Sequence, residues 1–117
     1  MATIAKHLLS GSTNGLTVSI TGADSGAADT IHTAVAGTGA IDEIWLWANN
    51  IHTSAITLEI EWGETGAAEN IHVDIDPNET VLVAPGWPLQ NGLVIKGFTT
   101  GTQDVVNIHG YVNRITD

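Results

Sequence analysis

Glu59, Glu61, His72, Asp74 and Asp76 are the side chains whose types and spacing best suggest chemistry in this chain. They alternate with apolar residues in two short segments, 55–62 and 71–75, with Asp76 directly after the second. If these segments form a hairpin, Leu58, Ile60 and Trp62 share one face with Ile71, Val73 and Ile75, and the acids share the other. Cross-strand neighbours on one face lie about 5 Å apart, where like charges repel unless water, a cation or a basic partner intervenes. Calcium accepts several oxygen ligands in irregular geometry, so Glu59, Glu61, Asp74 and Asp76 are the candidate calcium ligands. The competing reading is a solvated outer face, since no EF-hand spacing is present. Paired carboxylates also serve glycoside hydrolysis. A flat, exposed face gives no reason for the raised pKa that a general acid needs. The expectation is therefore a non-enzymatic protein with no catalytic residue and no cofactor.

The remaining reactive types point the same way. His32, His52, His72 and His109 lie in separate segments without the spacing of a helical metal motif or of a cupin site, and read as individually hydrogen-bonded side chains. There is no Gly-x-Ser-x-Gly elbow and no phosphate-binding glycine loop. The chain has no cysteine, which removes disulfides, thiolate nucleophiles and cysteine-ligated zinc. Asn78-Glu79-Thr80 matches a glycosylation sequon, but the N-terminus lacks the apolar stretch of a secretory leader.

Charge narrows the partners. Thirteen acids face three bases, Lys6, Lys96 and Arg114, for a formal net charge of −10 over 117 residues. Nucleic-acid binding needs several phosphate contacts from Lys and Arg, so no nucleic acid is expected, and an anionic membrane fails on the same ground. The acidity reads as solubility or as complementarity to a basic surface. No apolar run reaches the length of a membrane span.

The elements that must position these residues are short strands. Apolar runs alternate with glycine, proline and asparagine clusters, and no stretch has helical spacing. Candidate strands are 5–10, 16–21, 30–35, 41–49, 55–62, 71–75, 80–84, 93–98 and 105–115. Regular short strands without crossover helices predict an antiparallel β-sandwich of about eight strands, a jelly roll or a related Greek-key barrel, in one domain covering 1–117. Residues 1–14 read either as an N-terminal arm or as an ordinary edge strand.

One strand is unusual. In 41–49, Ile44, Leu46 and Ala48 share one face, while Trp45 and Trp47 share the other. Both faces are apolar, so one fills the core and the other needs a cover. Full burial of each indole would remove roughly 150–250 Å² from water, roughly 4–6 kcal/mol apiece before association costs. Pro85-Gly86-Trp87-Pro88 adds a stiffened tryptophan, read either as a docking anchor or as a plug for the end of the sandwich. Trp45, Trp47, Trp87 and Tyr111 are the candidate interface residues. A carbohydrate-binding sandwich, with Trp87 and a second tryptophan as a stacking platform, is the alternative.

Several segments resemble a group of small structural proteins of tailed bacteriophages. They are 7–15 (HLLSGSTNG), 30–38 (TIHTAVAGT), 42–48 (DEIWLWA), 58–63 (LEIEWG), 81–86 (VLVAPG), 89–96 (LQNGLVIK) and 108–115 (IHGYVNRI). The resemblance covers nearly the whole chain in order. It implies a capsid decoration or cement protein, made in the host cytoplasm and placed on the capsid exterior as a homotrimer. It further implies that the major capsid protein is the partner and that neighbouring capsomers are held together. A tail, neck or baseplate component is the neighbouring possibility within that group.

Overall fold

The computed structural model describes residues 2–117; Met1, the first residue of the proposed arm, lies outside them. Nine strands follow in order: β1 (Thr3–Leu8), β2 (Val18–Ile20), β3 (Asp29–Thr33), β4 (Ala40–Asn50), β5 (Ile56–Trp62), β6 (Ile71–Ile75), β7 (Thr80–Leu89), β8 (Val94–Thr99) and β9 (Val106–Thr116). Among the described residues the only helical pieces are the 3-10 turns Ser25–Ala27 and Ala67–Glu69.

The pairings nest. β5 pairs with β6, β4 with β7, β3 with β8, and β2 and β1 with β9, all antiparallel. The chain is thus one long ribbon doubled back at the β5–β6 connection, and its successive rungs fall alternately into two sheets. β1 and β2 lie end to end along β9, followed by β4 and β7; the second sheet runs β3–β8–β5–β6. This is the jelly-roll order, so the expected antiparallel sandwich is the fold.

β4 shows why the sheets stack. Asp42, Ile44, Leu46, Ala48 and Asn50 are buried, and Glu43, Trp45, Trp47 and Asn49 are half-buried on the opposite side. The buried row meets Ile20, Ile31, Leu58, Ile60, Ile95 and Ile108 in the core. Each end of that row is polar and satisfied. Asn50 donates to the carbonyls of Ser54 (3.0 Å) and Ile75 (2.9 Å) and accepts from the His52 N–H (2.8 Å).

Two expectations need correction. The candidate strand 80–84 does not stop before Pro85: β7 continues through 85–88 to Leu89. β7 is an edge strand, where prolines need not donate to a neighbour. Two register shifts against β4, at Ile44/Trp45 and Leu46/Trp47, absorb the irregularity. The second correction concerns Glu61, placed by alternation on a solvated outer face. It is 1% exposed. The Ser25 hydroxyl in the turn at 25–27 donates to its Oε2 at 2.5 Å, so that segment lies over the outer side of β5.

Candidate functional site

The outer face of the five-stranded sheet gathers the aromatic residues. Register sets Tyr111 of β9 opposite Trp45 of β4 and opposite Leu8 of β1. Trp47 stands opposite His109 on β9 and Leu82 on β7. Ring centroids of Trp45, Trp47 and Tyr111 are 6.2, 6.4 and 6.2 Å apart, with interplanar angles of 20°, 12° and 27°. Three nearly parallel rings therefore form one platform, each partly covered by the others.

One indole N–H of the platform is tied to a neighbouring carboxylate. Trp45 Nε1 donates to Glu43 Oε1 at 2.9 Å, and Asn113 Nδ2 donates to the same oxygen at 3.2 Å. Those two bonds, the Trp45 one first, hold the Glu43 carboxyl below its ordinary value. The Lys6 ammonium stands 4.7 Å over the centre of the Tyr111 ring, a cation–π contact. Trp45 lies across β7 at Gly86, where a Cβ would come 3.1 Å from Trp45 Cζ2 and where φ is +79°. Only glycine meets both conditions without strain.

Around the rings the face stays apolar. Ile4 of β1, Ile115 of β9 and Ile41 of β4 form one row across the sheet. Ile4 is 65% exposed and Leu8 54%, and Ile41 and Leu82 are also exposed. Half of the eight exposed large hydrophobic residues among those described thus lie on this face. A groove of about 500 Å³, lined by Thr38, Ile41, Pro88, Leu89, Gln90 and Leu93, continues it at the Ile41 end.

Trp87 stands apart from the other three interface candidates. It lies opposite Ile44 in register, and its ring meets Trp62 edge to face at 5.6 Å and 78°. Trp62 comes from the other sheet, and its Nε1 donates to the Pro88 carbonyl at 3.4 Å. This pair closes the gap between the two sheets, although Trp87 remains 37% exposed.

The four calcium candidates do not converge. Glu59 lies 3.4 Å from His72 Nε2 and accepts from Asn70 at 3.3 Å. Asp74 accepts from the Thr57 hydroxyl at 2.7 Å, Asp76 is exposed, and Glu61 is buried beneath Ser25. Among the described residues, no three Asp, Glu, His or Cys side chains come close enough to hold a metal. Glu59, Glu61 and Asp74 each accept from a donor of their own and Asp76 is exposed, so the four candidate carboxylates make separate local contacts.

Sequence reasoning missed one cluster, His32, Asp42 and Arg114. Asp42 is fully buried. Arg114 holds it with two bonds, His32 Nε2 donates to Oδ2 at 2.8 Å, and the Val35 N–H donates to Oδ2 at 3.0 Å. Burial alone would push this carboxyl up, but the bonds from Arg114, His32 and Val35 together hold it below its ordinary value. The same bond raises Arg114. His32 Nδ1 accepts the Ser10 backbone N–H at 3.0 Å, which fixes the proton on Nε2. Ser10 Oγ instead accepts from the Thr33 N–H. The three residue types of a hydrolytic triad are therefore adjacent, but no hydroxyl reaches the imidazole. The arrangement fastens the segment after β1 to β3, β4 and β9. One signal was available: extending the inward row of β4 from Ile44 back by one step reaches Asp42, and a buried acid requires a cation.

No family model matches the chain, and no curated protein matches it.

Proposed function

We propose that this chain is a non-enzymatic structural protein that works by adhesion through the outer face of its five-stranded sheet, as a homo-oligomeric decoration protein binding across capsomers of a tailed-phage capsid. The observation that carries the adhesive part is the platform of Trp45, Trp47 and Tyr111, continued by exposed Leu8, Leu82, Ile4 and Ile41. An apolar face of this extent on a soluble domain marks a surface used in contact. The resemblance to phage structural proteins supplies the capsid as the partner. Because the rings already cover one another in part, docking each indole contributes about 2–3 kcal/mol, half of its full-burial value. Repeated copies on a shell multiply that modest energy by avidity.

Co-sedimentation with shells of the major capsid protein from the same genome tests this reading. The native chain should pellet with the shells, and a Trp45→Ala/Trp47→Ala variant that folds normally should lose at least tenfold in apparent affinity. Binding that is indifferent to both substitutions would remove the platform from the contact.

A second reading follows from the parallel setting of the rings, which also suits stacking against a sugar ring. A glycan panel read by ligand-detected NMR separates the two: saturable binding lost with Trp47→Ala favours the sugar, whereas no binding leaves protein contact.

A further inference from the structure

The edges of the two sheets are guarded unequally. β7 carries Pro85, Pro88 and two register shifts, devices that keep another strand from adding to an edge. β3 is bulged between Thr30 and His32. β6 is five residues long and presents His72 and Asp74 on its outer side. β1 has neither a proline nor a bulge, and its one guard is Lys6. Its six residues pair with β9 in unbroken register from Thr3↔Thr116 to Leu8↔Tyr111. They contain no proline and one charge, Lys6, and every one of them is exposed. β1 ends its sheet, so one row of its backbone N–H and C=O groups faces away from β9.

We propose that a second copy of this chain pairs with β1, edge to edge and antiparallel about a two-fold axis, joining two five-stranded sheets into one. The strand is complementary to itself. Opposed residues in an antiparallel ladder point to the same face. Centring the axis on Ala5 therefore sets Ala5 against Ala5, Ile4 against the methylene stem of Lys6, and Thr3 against His7, and no lysine faces a lysine. That axis also keeps the two aromatic platforms on one side of the joined sheet. The contact is two-fold, where the resemblance implies a three-fold one. It stands on the β1 edge and does not depend on the capsid reading, because Ala5 shares the inward side with its register partner Arg114, whose side chain reaches Asp42.

Light scattering on the full chain tests it. The expected mass is twice 12.2 kDa. Raising the salt should tighten the association, because each copy carries a formal charge of −10. Ala5→Lys sets like charges opposite each other on a strand without core residues, and should weaken association at least tenfold with an unchanged circular dichroism spectrum. Trp47→Ala should leave the mass unchanged. Ala5→Cys should oxidise to a covalent dimer, since the opposed Cβ atoms would lie about 4.5–5.5 Å apart and the chain has no other cysteine. A monomeric or trimeric native protein overturns the proposal. So does a dimer that survives Ala5→Lys but dissociates with Trp47→Ala, or a position-5 cysteine that stays reduced under oxidant.

Discussion

Arg114 grips Asp42 across 72 residues of sequence, with Nε 2.7 Å from Oδ1 and an Nη2 bond of 3.0 Å to Oδ2. The acid is fully buried and the guanidinium partly so. Removing one partner of a buried pair costs roughly 3–5 kcal/mol, because the remaining charge is stranded. Arg114→Met should cost about 3 kcal/mol, the low end, since its side chain still reaches solvent. Asp42→Ala should cost about 4 kcal/mol, because it strands Arg114 and deprives His32 Nε2 of its acceptor. Urea titration followed by tryptophan fluorescence measures both, and a cost under about 1 kcal/mol for each would sink the claim that this cluster joins the strands.

The same pair sets an acid limit. The folded Asp42 carboxyl lies below its ordinary value of 3.8. A depressed carboxyl contributes stability that is fully present above the unfolded value and is lost as pH falls through the lower folded value. Asp42→Asn should therefore flatten the fall in stability below about pH 4 while lowering stability at neutral pH. Urea midpoints across the acid range give the measurement. Parallel acid limbs in the two proteins would contradict it.

Glu64 has the opposite sign. Its hydrogen bond to Glu69, and then the charge of that neighbour, raise its carboxyl above the ordinary value of 4.5. A raised carboxyl favours the folded state only at low pH, and its contribution is lost as pH rises through the folded value. Glu64→Gln should therefore raise Tm at pH 7 and leave it unchanged at pH 3. A lower Tm at neutral pH would show that the two carboxyl groups do not oppose each other in the folded state.

Glu61 is buried, with one carboxylate oxygen bonded to Ser25 and the other without a partner among the described residues. A buried carboxylate oxygen left without a donor is costly. Glu61→Gln retains an acceptor for Ser25 and removes the charge, so thermal unfolding at pH 7 should shift upward. Ser25→Ala leaves the acid unsupported and should cost about 1–3 kcal/mol. If Gln at this position lowers Tm by as much as the Ser25 change, the charge itself is needed.

Gly86 lets Trp45 lie flat. Any side chain there meets the indole at 3.1 Å and adopts a φ of +79°. Gly86→Ala should destabilise the fold by about 1–3 kcal/mol. It should also change the near-ultraviolet circular dichroism that the stacked rings produce. An unaltered spectrum with native stability would mean that the ring and the bulge are not mechanically linked.

Much of this was legible in the sequence because strands have a period of two. Ile44, Leu46 and Ala48 faced inward and Trp45 and Trp47 outward as alternation requires. The strand positions also followed, because glycine, proline and asparagine clusters interrupt the ladders at regular intervals. Alternation placed Glu61 on the correct, outer side of β5 and missed its burial. Parity assigns a side chain to a face but says nothing of a loop that later covers that face, here the turn at 25–27. The end of the strand beginning at 80 was missed as well, since β7 continues through 85–88. Whether a proline ends a strand depends on which side its missing N–H would face, and only the neighbour in the sheet decides that.

The chain's own order of residues determined an all-β sandwich without thiols, with a strongly acidic surface and one strand apolar on both sides, since composition and short-range periodicity act within a few residues. Which side chains meet was decided by the tertiary structure alone. Tyr111 joins the two tryptophans, Trp87 leaves them for Trp62, and Asp42 finds Arg114 and His32. These meetings depend on the register and nesting of strands far apart in sequence, and no local pattern of residues encodes a distance between them.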